Sequence, residues 1–181
     1  VDGQVRRGIF SLDADERVPH QLAQEIRQLL ETEPDHCGYR VPRVTFHLGR
    51  WIRSTDWYPD FQLRLYDRRV GRWSTPRVHE SVTVSGQVGR FQHELEHYTY
   101  RDLSHQLDTI DRYATLAADD MAAQGRRTSL LRLVVHPILA FLRNYLLRGG
   151  IRDGVAGFII STMNAYYVFL KFAKLWERQR H

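Results

Sequence analysis

At 181 residues and 21.4 kDa the chain has room for one domain with a real core, or one domain and an appendage, and little room for a multi-domain organisation. A hydrophobic content of 43% and a charged content of 26% are those of folded proteins and exclude disorder as the default. The net charge of +5 is concentrated: residues 126 to 181 carry +8 and residues 1 to 125 carry −3, and because the basic residues interleave with long apolar runs instead of forming a basic face, no nucleic-acid partner is expected.

The chain begins Val1-Asp2-Gly3, with neither an initiator methionine nor a charged-then-apolar leader, the expectation for a piece of a longer protein. Gly8-Ile9-Phe10-Ser11-Leu12 is a short apolar run that predicts a strand, and it ends in the acidic turn Asp13-Ala14-Asp15-Glu16. Pro19 then opens a helical pattern carried by Leu22, Ile26, Leu29 and Leu30, which Glu33-Pro34-Asp35-His36 breaks. The lone Cys37 reads as a small apolar residue in a reducing compartment. Tyr39 to Leu48, rich in Val, Thr, Tyr and Phe, predicts a strand, and Phe61 to Tyr66 alternates like a strand with one buried face. Val78 to Val84 and Val88 to Tyr98 predict further strands among Gly71, Gly86 and Gly89.

After Tyr100 the apolar period changes from two to about three and a half. Leu103, Leu107, Ile110, Ala114, Ala117 and Met121 mark a helix that Gly125 ends. A second helical block runs from Leu130 to Leu147 with Pro137 inside it, and a third from Val155 to Trp176 after Gly149-Gly150. The third contains 17 uncharged residues, GVAGFIISTMNAYYVFL, short of the ~20 that cross a bilayer. With Tyr166, Tyr167, Phe169, Phe172 and Trp176 beside Lys171, Lys174, Arg178 and Arg180, it suits a helix lying on an anionic membrane surface. A buried helical hairpin is the alternative. The division expected is an α/β region over residues 1–100 and a helical, membrane-associating region over 101–181.

Three constellations bear on chemistry. Asp13 and Asp15, one residue apart at a strand end, can converge on Mg²⁺ or Mn²⁺, whose work is to neutralise phosphate oxygens. The spacing alone also suits any strand-to-helix turn, where acids favour the helix N-terminus, or an aspartyl-phosphate hydrolase. In Arg77-Val78-His79-Glu80, the glutamate could serve as general base toward a hydroxyl, with His79 beside it as a phosphate or metal contact; a solvated His-Glu pair is the plainer alternative. His93-Glu94-Leu95-Glu96-His97 spells H-E-x-x-H, the zinc-peptidase pattern, which requires a helix so that both imidazoles leave one face. Gln87 to Phe91 reads as extended and the next helix begins near Asp102, so the local context argues against that reading.

The segments SLDADERV, FQLRLYDRR, RVHESVTVSGQVGR, HYTYRDLSHQLDTIDRYATLAA and DGVAGFIISTMNAYYVFLKFAKLWE, in this order over nearly the whole chain, resemble bacterial family 2 glycosyltransferases of the lipopolysaccharide-core glucosyltransferase type. The resemblance implies a GT-A, Rossmann-like α/β core that lacks here its N-terminal nucleotide-binding half, followed by C-terminal amphipathic helices. It implies Asp13 and Asp15 as the pair holding metal and diphosphate, Glu80 as catalytic base, His79 as a weaker neighbour and His97 as a late metal or diphosphate ligand. Arg64 and Arg77 are possible phosphate contacts.

The activity this implies is inverting, metal-dependent transfer of a hexose from a UDP-sugar to a lipopolysaccharide core or lipid-linked acceptor, with Mg²⁺ or Mn²⁺ as cofactor. The place implied is the cytoplasmic face of the bacterial inner membrane, peripherally bound. Two alternatives remain open at this point: a non-catalytic membrane-binding fragment, and a zinc metallopeptidase using HELEH.

Overall fold

Gly38–His47 (β3), buried at most of its positions and paired on both sides, is the central strand from which the α/β part is built. The computed structural model describes residues 8–32, 34–74 and 81–180, which form two compact units. The first comprises the described residues up to Phe46 together with Pro59–Tyr98. Its strands are β1 (Gly8–Phe10), β2 (Glu16–Arg17), β3, β5 (Asp60–Asp67), β8 (Val88–Arg90) and β9 (Leu95–His97), and the helix α1 (His20–Glu31) follows β2. The order across the sheet is β1-β5-β3-β9-β2. A separate ribbon pairs β6 (Gly71–Ser74) with β7 (Ser81–Val84).

β5 lies antiparallel on one side of β3, while β8 and β9 lie parallel on the other, against Gly38–Arg40 and Arg43–Thr45 respectively. Val41 and Pro42 fall between these two parallel partners. The missing N–H of Pro42 therefore costs the ladder nothing, which is how a proline survives inside a central strand. Residues 91–94 leave the sheet between β8 and β9, so the single strand expected over Val88 to Tyr98 is two. Leu22 of α1 is fully buried against Tyr39, Val41, Leu65, Phe91 and Leu95, with Ile26, Leu29 and Leu30 at the edge of the same cluster.

The second unit joins His47–Tyr58 to the helices that follow Tyr98. The segment containing β4 (Arg50–Ile52) thus belongs with the helices. Its Ile52, with Leu48 and Trp57, packs on Ala156 and Ile160, and Ser54 donates to Asp153 at 2.5 Å. α2 (Leu103–Ala123) is capped by Asp102, whose carboxylate accepts from His105 N–H at 2.7 Å. α3 (Leu130–Leu142) contains Pro137 and passes into a π-helical turn, Arg143–Leu147; a 3₁₀ turn, Gly150–Asp153, leads to α4 (Gly154–Arg178).

Phe172 and Leu175 of α4 are buried with Ala118 of α2, and Leu133 of α3 packs on them. The cations of α4 complete this contact. Lys174 donates to Asp111 at 2.6 Å and Arg178 to Asp119 at 2.7 Å, so these two side chains face α2. Leu130–Leu147 and Gly150–Arg178 are both long and apolar enough to cross a membrane by length and composition, one stretch more than the sequence singles out.

Replacing Leu22 by Ala should lower the unfolding free energy by about 3 kcal/mol, the usual cost of a cavity at a fully buried leucine. Urea unfolding followed by the far-ultraviolet dichroism checks it.

Candidate active site

The acidic turn is held by the residue that follows it. Glu16 N–H donates to the Asp13 carbonyl at 3.1 Å, and Glu16 Oε2 accepts from Asp13 N–H at 3.1 Å, closing the turn in both directions. The Glu16 side chain is wholly buried and lies between two guanidinium groups. Arg43 of β3 donates to Glu16 Oε1 at 3.0 Å and Arg64 of β5 to the same oxygen at 2.5 Å. Arg64 also donates to Asp13 Oδ2 at 2.5 Å, and Arg43 grips Asp60, its direct cross-strand partner, at 2.6 and 2.9 Å.

The register explains why Arg64 points here. Arg40 pairs with Leu63 and Tyr39 with Leu65, which leaves Arg64 as the extra residue of a bulge. A bulge bends its strand and re-aims a side chain, and this one brings the guanidinium to the acidic turn.

Register also brings His97 to Asp15. β2 and β9 pair antiparallel with Glu16 opposite His97, and β9 and β3 pair parallel with His97 opposite Thr45. Side chains opposite one another share a face, so Glu16, His97 and Thr45 stand abreast on three adjacent strands. Tyr98 N–H donates to the Asp15 carbonyl at 2.8 Å, and His97 Nε2 lies 3.2 Å from Asp15 Oδ2. His97 Nδ1 is 3.2 Å from the Thr45 hydroxyl. An ionised Asp15 accepts only, so Nε2 carries the proton and Nδ1 accepts from Thr45. Burial, and then the charge of Arg43, hold the His97 pKa below the usual imidazole value, against the pull of Asp15 and Glu16. His97 is therefore neutral at pH 7.

HELEH divides at this point. Leu95–His97 is a strand and residues 93 and 94 precede it outside any helix, so the geometry that a zinc peptidase needs is not present. His93 binds Glu25 instead: Nδ1 is 2.8 Å from Glu25 Oε2, and the Gln92 and His93 N–H groups donate to the same carboxylate at 2.8 and 3.0 Å. The two histidines serve two different carboxylates.

Among the described residues no three His, Cys, Asp or Glu side chains converge as a metal-binding group. Asp15, about half exposed, and His97 are the pair available to a divalent cation. Mg²⁺ commonly takes one or two protein ligands and completes its shell with water and substrate phosphates, so a pair of this kind fits. Ligation through Nε2 requires the other imidazole tautomer, and the Thr45 hydroxyl, both donor and acceptor, satisfies either. Asp13, expected beside Asp15, has its carboxylate taken by Arg64, and Arg64 itself is buried on Asp13 and Glu16. Arg77, His79 and Glu80 lie outside the described residues, in the connection between β6 and β7.

Four residues of this constellation escape the sequence reading: Glu16, Arg43, Thr45 and Asp60. Arg43 leaves the clearest trace, a charge inside the otherwise apolar run Val41-Pro42-Arg43-Val44. A guanidinium at a buried strand position demands a carboxylate partner.

Comparison with known proteins adds what the chain is similar to. The chain is 32% identical over 171 residues, 93% of its length, to the lipopolysaccharide core biosynthesis glycosyltransferase LpsC of Rhizobium meliloti. Over that length it is similar to a bacterial glycosyltransferase. Glycosyltransferases of Rickettsia typhi and Rickettsia felis, both named uncharacterized, are each 24% identical over 93% of the chain. The chain spans 63%, 62% and 64% of these three glycosyltransferases respectively, less than two thirds in each case. No protein-family model matches, nor does any solved structure.

Two outcomes are expected of this site. Glu16→Gln removes the charge that two buried guanidiniums share and should lower the unfolding free energy by about 3 kcal/mol or more, measured by urea titration. The second concerns pH. His97, and His47 in the other unit, have folded pKa values below their unfolded ones, so the unfolded chain binds more protons as the solution is acidified. Their contribution is fully present above about pH 6.5 and is lost as pH falls toward the folded values. Urea midpoints should therefore drop between pH 7.5 and 5.5, and His97→Gln should flatten that slope.

Proposed function

We propose that the chain is part of an inverting, metal-dependent glycosyltransferase of GT-A fold that transfers a hexose, most simply glucose from UDP-glucose, to a lipopolysaccharide core or similar lipid-linked saccharide. The observation that carries this reading is the 32% identity to a lipopolysaccharide core glycosyltransferase along 93% of the chain. The meeting of Asp15 with His97 across β2 and β9 supports it, since these are the two side chains that the reading requires near one diphosphate. The base and ribose of the donor would be bound by the N-terminal half of a doubly wound sheet, preceding the residues present here.

In the transfer itself Glu80 takes the proton of the acceptor hydroxyl. That oxygen bonds to the anomeric carbon from one face while the bond from this carbon to the diphosphate oxygen breaks on the other, and UDP departs. Asp15 and His97 would hold Mg²⁺ or Mn²⁺, which when bound supplies positive charge for the departing diphosphate, while Asp13 stays on Arg64. Arg77 and His79, neighbours of Glu80 in the chain, are phosphate contacts in this scheme. Arg64 acts through Asp13 and Glu16, fixing the shape of the turn. The enzyme would work bound peripherally at the cytoplasmic face of the inner membrane, where a lipid-linked acceptor is presented.

The test is a screen of nucleotide sugars with the complete gene product and a lipid-linked acceptor. Glu80→Gln should cut turnover by a factor of about 100 or more while binding of UDP-sugar and Mn²⁺ persists, and Asp15→Asn should weaken Mn²⁺ binding as well. Near-normal turnover in Glu80→Gln would remove the base assignment, and transfer from no nucleotide sugar would reject the reading as a whole.

A further inference from the structure

α3 has no buried residue, although it is the most apolar helix of the protein. One side of it is accounted for. Leu133 packs on Phe172 and Leu175, the His136 ring lies 5.1 Å from that of Phe172, and Phe141 meets Phe158 of α4 edge to face at 5.6 Å. The other side is a continuous row of large apolar side chains open to solvent: Leu130, Leu131, Val134, Val135, Ile138, Leu139 and Leu142, prolonged by Leu146 and Leu147 in the π-helical turn. Leu131 is 72% exposed, Ile138 54% and Leu147 83%. Their spacing of three, four and one residues places them along a single stripe. A helix that is apolar on the face it packs and apolar again on the face it leaves open belongs in a nonpolar medium on both sides.

The charges around the stripe state what that medium borders on. Between Asp120 and Asp153 the chain has no acidic residue and six arginines: Arg126, Arg127, Arg132, Arg143, Arg148 and Arg152. All six are exposed. Arg143 and Arg148 share the carboxylate of Asp56, at 3.0 and 3.5 Å, which leaves the surroundings of the stripe strongly positive. They flank the apolar row at its start, along its side and beyond its end, which is the arrangement of an interfacial helix whose cations reach anionic headgroups while its apolar face sinks to the acyl boundary. A protein partner of matching chemistry would need an acidic rim around an apolar groove. An anionic bilayer supplies both in the simplest form.

We propose that α3, and not the cationic end of α4, is the element that inserts into the membrane, lying in the plane of an anionic lipid surface with Leu131, Val134, Ile138 and Leu142 in the acyl region. The tail that the sequence favours for this task has Lys174 and Arg178 turned to α2. This inference rests on the membrane-bound part of the proposed function, and names the segment responsible.

The experiment is flotation of the complete gene product with anionic vesicles of phosphatidylethanolamine and phosphatidylglycerol in a ratio of about 3:1. Leu131→Asp combined with Ile138→Asp should reduce the floated fraction by a factor of about ten or more, since each change places a charge where the bilayer would take an apolar side chain. Both side chains are exposed, so the circular dichroism spectrum should be unchanged. Lys174→Gln combined with Arg178→Gln should float like the parent, and the parent should float poorly with phosphatidylcholine alone.

Flotation of the Leu131/Ile138 variant at the parental level overturns the proposal, as does a parent that does not float. So does a lipid-free dimer in sedimentation velocity that the same two substitutions dissolve, because the stripe would then be covered by a second copy. Transfer to a delipidated, soluble acceptor separates this inference from the catalytic one: transfer lost with flotation intact counts against the transferase alone, and flotation lost with transfer intact identifies the membrane contact.

Discussion

A carboxylate buried between two guanidiniums organises the α/β unit. Glu16 accepts from Arg43 and Arg64 with one oxygen and from the backbone of its own turn with the other, so three strands and the acidic turn are tied at one point. A buried charge is tolerated only when its partners are close and its lone pairs are filled, and here they are. The consequence is geometric: Asp15 projects from a turn that cannot relax, toward a histidine whose place is set by the pairing of β2 with β9.

His97 is held from both sides by groups of different character. Asp15 sets which nitrogen carries the proton, and Thr45 accommodates whichever tautomer results. Burial and Arg43 keep the ring neutral, which leaves a lone pair to give. A protonated imidazole would have none, so the depressed pKa and a ligand role point the same way.

The helical unit solves a different problem. α4 is packed along one side: its Phe172 and Leu175 enter the core and two of its cations are matched to aspartates of α2, while Val155, Phe158, Tyr166, Phe169 and Trp176 stay exposed. α3 covers one flank of α4 and is itself left bare on the other. The division of labour is between a helix that packs and a helix that stays open, and composition does not distinguish them, because both are apolar and both are bordered by basic residues.

Local periodicity carried the identity of the main elements. The alternation in Phe61–Tyr66, the helical spacing of Leu22 to Leu30 and of Leu103 to Met121, and the stops at Gly125 and Gly149-Gly150 are all properties of short stretches, and they reappear as β5, α1, α2 and the breaks around α3. The D-x-D pair was also legible as a residue pattern suited to metal and phosphate chemistry, and His97 through the family resemblance. That resemblance alone put the two near each other, because 82 residues separate Asp15 from His97 and only the two-residue strand β2 joins them. So short a strand has no period to read.

Glu16 and Arg43, and the structural role of Arg64, were hidden for a related reason. A charge in a strand reads as a solvated edge until a partner from another strand buries it, and the bulge that turns Arg64 inward exists only in the pairing with β3. The same holds for the open face of α3: sequence alone determined that the helix is apolar, and tertiary packing decided which of two apolar helices would be left uncovered, since burial is a relation between elements and not a property of either one.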